Sequence, residues 1–137
     1  MLEEKQIILI EDDPDHADLI IDVFGVKGIE NNIVLIRDGQ EAIDYFREMA
    51  IKWREVIYNK ITLILLDLNL PKVYGMNILK YLKKSSGYNQ VPVVILSTSS
   101  DKKTIDEAYE NGVDRFITKP VSYDEFVEKI ETLNEYC

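Results

Sequence analysis

Short apolar runs alternate along the chain with segments whose apolar positions recur every three or four residues. Ile7-Ile8-Leu9-Ile10, Ile61 to Leu66 and Val93-Val94-Ile95-Leu96 are short, rich in branched side chains and free of polar alternation, which predicts strands buried on both faces. Asn32 to Ile36 reads as a further strand, and Arg115 to Thr118 as a weaker fifth. Between them lie helical stripes at Ala17, Ile20, Ile21 and Phe24, at Ala42, Ile43, Phe46, Met49, Ala50 and Trp53 with an extension to Ile57, and at Met76, Leu79 and Leu82. Two more follow at Ile105, Ala108 and Tyr109, and at Tyr123, Phe126, Val127, Ile130 and Leu133. Pro14 suits a first helical turn, Asp38-Gly39 a turn out of a strand, and Ser97 to Asp101 a helix cap. Ser122 with Glu125 has capping-box spacing. Gly25, Gly28, Gly87 and Asn111-Gly112 read as helix stops. Five strands alternating with five helices predict an α/β fold, a parallel sheet covered on both faces by right-handed crossovers.

The polar residues that end the strands carry the functional signal. Glu11, Asp12 and Asp13 follow the first strand, Asp67 the third, Ser97 and Thr98 the fourth, and Lys119 the fifth. In a parallel sheet these ends share one rim, the edge where α/β folds bind ligands. Asp67 taken alone has a plainer reading, a cap for the turn before Pro71.

Composition narrows what such a rim can do. At 137 residues the chain fits one domain, and 46% hydrophobic with 30% charged residues is ordinary for a globular protein. A net charge of -9 argues against nucleic acid and anionic membrane as partners. There is no signal-peptide pattern and no apolar run of about 18 residues, which predicts a cytoplasmic protein. Cys137 is the only cysteine, which excludes an internal disulfide and a cysteine-rich zinc site. Carboxylates crowded on one rim raise one another's pKa, a conflict that a bound cation relieves. All-oxygen donors favour Mg²⁺, with Mn²⁺ as the alternative. An Asp nucleophile, a lysine and a hydroxyl beside such a cation make a phosphoryl-transfer site.

The motifs ILIEDDP, LILLDLNLP, VPVVILSTS and FITKP, in this order, resemble the receiver domain of two-component response regulators, and all four prolines fall within them. LDLNLP and STSS resemble the stand-alone receivers that pair with phytochrome-type sensor kinases. The resemblance implies a flavodoxin-like (βα)5 sandwich with strand order 2-1-3-4-5, spanning residues 1–137 with no output domain. It implies Asp67 as the phosphorylated aspartate, Glu11 and Asp12 as the acidic pair for Mg²⁺, and Asn69 as donor of a backbone carbonyl to the metal. Asp12 would ligate directly, Glu11 through water, and Asp13 would cap the helix. Ser97 matches the switch hydroxyl by register, with Thr98 as its rival. Lys119 matches the family lysine, its bond to Pro120 being expected cis, and Phe116 holds the aromatic switch position.

The implied function is a single-domain switch that takes a phosphoryl group from a histidine kinase or phosphotransfer protein and loses it slowly by its own chemistry. It is not an enzyme with a separate substrate. Output to a downstream protein is expected from the last two helices and the fifth strand, near Tyr109, Tyr123, Glu110, Asp124, Glu125, Glu128 and Glu131, with a phosphorylation-dependent homodimer as another form of output. A phosphatase using an aspartyl-phosphate would carry a second acid where Asn69 stands. A receiver-like scaffold that is never phosphorylated would lack the acids or the lysine, and all are present. His16, on the first helix, is expected to face solvent and to stay outside the site.

Overall fold

A computed structural model of the chain describes residues 5–26, 32–119 and 122–136. In chain order the elements are β1 (Gln6–Ile10), α1 (Pro14–Val26), β2 (Asn32–Ile36), α2 (Gly39–Trp53), a one-turn α3 (Ile57–Lys60), β3 (Ile61–Asp67), α4 (Gly75–Lys84), β4 (Val93–Ser97), α5 (Lys102–Glu110), β5 (Arg115–Thr118) and α6 (Tyr123–Glu131). The strands form one sheet in the order β2-β1-β3-β4-β5, every neighbouring pair parallel. This is the parallel sheet that the alternation predicts, in the flavodoxin-like strand order that the resemblance implies.

Successive side chains on a strand point to opposite faces, and the sheet divides its apolar residues accordingly. Ile8, Ile10, Ile64, Leu66, Val93 and Ile95 pack with Phe46 of α2, Leu79 and Leu82 of α4 and Ala108 of α5. Ile7, Leu9, Leu63, Leu65, Val94, Leu96 and Ile117 pack with Ala17, Ile20 and Phe24 of α1 and Phe126 and Ile130 of α6. Each such side chain removed from water contributes roughly 1.5–3 kcal/mol, which is why the middles of β1, β3 and β4 are apolar on both faces. α2, α5 and α6 start at side-chain caps. Asp38 accepts the Glu41 N–H at 2.8 Å, Asp101 the Lys103 N–H at 3.4 Å and Ser122 the Glu125 N–H at 3.4 Å.

Several helix ends differ from the sequence reading: α4 stops at Lys84, before Gly87, and Leu133 lies in a 3-10 turn beyond α6. The second helix does not continue to Ile57: Arg54 takes φ +47°, a left-handed conformation that breaks α2, and a 3-10 turn over Arg54–Val56 leads into α3. Ile57 is nonetheless buried. Gly25 does not stop α1, which runs on to Val26; no atom would touch a Cβ there. Gly28, the Lys119–Pro120 bond and Cys137 lie outside the described residues. Among the described residues no helix is long and apolar enough to cross a membrane.

Candidate functional site

Strand parity decides which polar side chains meet at the carboxyl rim. Ile10 and Leu66 face α2 and α4, so Glu11 and Asp67, one residue further, turn toward α1 and α6. Ile117 faces α1 and α6, and Lys119, two residues further, shares that side. Glu11 is 1% exposed, Asp67 5%, and the Lys119 side chain 6%. Lys119 Nζ donates to Glu11 Oε1 at 2.6 Å and to Asp67 Oδ2 at 3.3 Å. The remaining carboxylate oxygens take backbone donors: Asp67 Oδ1 accepts the Asn69 N–H at 2.9 Å, and Glu11 Oε2 the Asp13 N–H at 3.4 Å.

Asp12 is exposed, yet it completes the acid group: Glu11, Asp12 and Asp67 each offer an oxygen, all within 4.8 Å of one another. One ammonium cannot offset three carboxylates. The Glu11 carboxyl is pushed up to about 8, first by burial and next by its hydrogen bonding with Asp67, against the opposing pull of Lys119. A proton on Glu11 is one relief of this conflict, and a divalent cation is the other. Three oxygen donors with no sulfur suit a hard cation of the Mg²⁺ or Mn²⁺ type.

The loop after β3 folds back tightly beneath Asp67. The Gly75 N–H donates to Leu68 O at 2.9 Å, and a Cβ on Gly75 would stand 2.5 Å from Asp67 O and 2.6 Å from Leu68 Cα. Only glycine permits this approach.

The other candidates are arranged around this centre. Asp13 caps α1, accepting the N–H groups of Asp15 at 2.9 Å and His16 at 3.4 Å, and the Asp15 bond foremost holds its carboxyl below the usual range. Ser97 is fully buried, with Oγ accepting the Ser99 N–H at 3.1 Å and its carbonyl accepting the Lys119 N–H at 2.7 Å. Leu96 stands opposite Asp67 in the ladder, so Ser97 has the other parity and lies toward α4 and α5. Thr98 is exposed, its Oγ1 3.5 Å from Asn69 Nδ2. Phe116, half-buried, packs against the same core as Ile95, and its N–H donates to Tyr109 Oη at 3.2 Å.

His16 departs from expectation. It does not simply face solvent: Nδ1 lies 3.2 Å from Lys119 Nζ, and the ring centroid 6.1 Å from that of Phe126. The only hint in the sequence is its place four residues after Asp12, one helical turn from the acids. Its partner is more than a hundred residues away, so no local pattern announces the contact.

The model of the response regulator receiver domain matches residues 7–131. The chain is 36% identical over 130 residues to the probable methanogenesis regulatory protein FilR2 of Methanothrix harundinacea, covering 95% of this chain and 81% of that one. It is similar to the crystal structure of the phosphorylated cyanobacterial phytochrome response regulator RcpA, with TM-score 0.85 and 31% identity over 98% of this chain and 94% of that one. It is also similar to the Mn²⁺-bound form of response regulator Rcp1, known from Synechocystis, with TM-score 0.79 and 28% identity over 96% and 92% of the two chains. Receiver domains are signalling modules that bind Mg²⁺ at an acidic pocket and work with histidine kinases and downstream targets. The chain belongs to the response regulator receiver domain family, and is a receiver of two-component signalling like the single-domain regulators it matches.

Proposed function

We propose that Asp67 accepts a phosphoryl group from a histidine kinase or phosphotransfer protein, and that the resulting acyl phosphate switches a protein-binding face. The observation that supports this most is the placement of Lys119 Nζ between Glu11 and Asp67, with Asp12 completing a three-carboxylate group. Glu11, Asp12 and Asp67, with the Asn69 carbonyl, would hold Mg²⁺ or Mn²⁺, which when bound offsets charge on the carboxylates and the phosphoryl oxygens.

The chain's own residues do the rest. The Asn69 N–H holds Asp67 Oδ1, fixing the orientation of the carboxylate and leaving Oδ2 on the Lys119 side. An Asp67 oxygen attacks phosphorus, the bond from phosphorus to the donor's histidine nitrogen breaks, and that nitrogen keeps the electron pair. Lys119 then turns part of its hydrogen bonding to the phosphoryl oxygens. The new charge of about -1.5 to -2 draws the Ser97 hydroxyl from the opposite face of the sheet. Phe116, on the same face as Ser97, follows by packing, and the rearrangement reaches the surface of α5, β5 and α6, where Tyr109 is 50% and Tyr123 66% exposed. Slow hydrolysis by the same groups resets the switch.

Phos-tag electrophoresis after treatment with acetyl phosphate tests the acceptor. Wild type should shift only with Mg²⁺ present and Asp67→Asn should not; an equal shift in both would refute Asp67. Output through a homodimer is read by light scattering with and without beryllofluoride. A doubling of mass supports the dimer, and an unchanged mass leaves a heterologous partner as the output.

A further inference from the structure

We propose that His16 is a positioning residue of this site, holding the Lys119 ammonium where it can serve Asp67. The inference rests on the reading of Asp67 as phosphoryl acceptor and adds a residue to it. A lysine ammonium has three N–H donors and no acceptor. Lys119 directs them at three atoms: Glu11 Oε1 at 2.6 Å, Asp67 Oδ2 at 3.3 Å and His16 Nδ1 at 3.2 Å. Because the lysine can only donate, a hydrogen bond across this 3.2 Å contact requires Nδ1 to accept, which is the tautomer with its proton on Nε2. The carboxylate oxygens nearest Nδ1, on Asp13 and Glu11, stand farther away at 3.5 and 3.8 Å.

Asp13 receives the backbone N–H of His16 and fixes the main chain at the start of α1, while Phe126 of α6 packs beside the imidazole at an interplanar angle of 42°. The lysine side chain is 6% exposed, so water cannot readily replace a lost acceptor. Of the three bonds the one to Glu11 is the shortest. Without His16 the ammonium settles further onto Glu11, and its hold on Asp67 loosens.

The test compares wild type, His16→Leu and His16→Asn at saturating Mg²⁺, each set beside a control form that carries Asp67→Asn in addition. Asn places its amide oxygen near the position of Nδ1, whereas Leu keeps bulk against Phe126 and offers no acceptor. The readouts are the Phos-tag rate with acetyl phosphate and the Mg²⁺ affinity by calorimetry. Phosphorylation of His16→Leu should slow roughly tenfold, with His16→Asn recovering to within about threefold of wild type and Mg²⁺ affinity little changed in either. Equal rates for Leu and Asn, whether both normal or both slow, would overturn the inference, the second result reducing His16 to a packing contact. Labelling of the Asp67→Asn forms would instead refute the acceptor reading beneath it, so the two failures are distinct.

Discussion

Buried polar groups stand at both ends of the sheet, and the two ends treat them in opposite ways. In the turn between α4 and β4, the fully buried Tyr88 donates its hydroxyl to Phe46 O at 2.6 Å, its ring meets Phe46 edge to face at 5.1 Å, and burial pushes its phenol well above the usual range. One neutral donor meets one neutral acceptor, and no charge is left over. At the carboxyl rim, Lys119 is divided unequally among Glu11, Asp67 and His16, with a third carboxylate close by. The first arrangement has a single low-energy state and serves stability. The second is balanced between several partners, so a new charge on Asp67 can redistribute it.

The largest effect should come from removing the shared cation. In Lys119→Met two buried carboxylates lose the ammonium they share, which by the general penalty for breaking a buried ion pair costs about 3 kcal/mol near pH 8 without divalent cation. Urea denaturation measures this, and added Mg²⁺ should restore part of it. A loss no larger than that of a neutral hydrogen bond would erase the distinction between the two ends.

The pH dependence of the metal-free protein sharpens the same point. Glu11 titrates near 8 when folded and near 4.5 as an ordinary carboxyl, so between these values the folded chain keeps a proton that the unfolded chain has lost. This contribution to stability is full below about pH 4.5 and is lost as the pH rises through 8. Between pH 6 and 8.5 the stability should therefore fall, by on the order of 2 kcal/mol, and Glu11→Gln should flatten the profile. A rising profile in the wild type would contradict the buried, proton-holding Glu11.

At the other end, Tyr88→Phe removes one hydroxyl and keeps the ring. A loss of about 1–2 kcal/mol is expected, or a few degrees in Tm, with the rate of Asp67 phosphorylation unchanged. A slowed rate would mean that the ends are coupled through β4.

The residues that were readable from sequence and those that were not divide along physical lines. β1, β3 and β4 are buried on both faces, so their composition alone marks them, and the parallel topology then brings Glu11, Asp12, Asp67 and Lys119 to one rim. Asp101 and Ser122 declare helix starts because a cap is a local bond. The break of α2 at Arg54 has no such signal: nothing in Trp53-Arg54 favours φ +47°, and the packing of Ile57 beyond it is a tertiary demand. The role of Tyr88 is hidden for the same reason, a turn aromatic whose partner is a carbonyl 42 residues away. His16 could be placed near the acids by helical spacing, but its bond to Lys119 depends on where β5 ends.

The smallest expected effect decides between the two hydroxyls that follow β4. Ser97 is buried with its Oγ engaged by the Ser99 N–H, whereas Thr98 is exposed and meets Asn69 Nδ2 at the 3.5 Å limit of a hydrogen bond. A bond that long at the surface contributes almost nothing, because water replaces it. Thr98→Val should change stability by less than about 0.5 kcal/mol and the Phos-tag rate by less than about twofold. Ser97→Ala leaves the Ser99 N–H without its acceptor and deprives the phosphorylated form of the buried hydroxyl. It should cost about 1 kcal/mol and separate phosphorylation from any change in mass or partner binding on beryllofluoride treatment. If Thr98→Val abolishes that response while Ser97→Ala preserves it, the switch hydroxyl belongs to the exposed threonine, and the passage from Asp67 to the α5 face through the buried side of β4 is wrong.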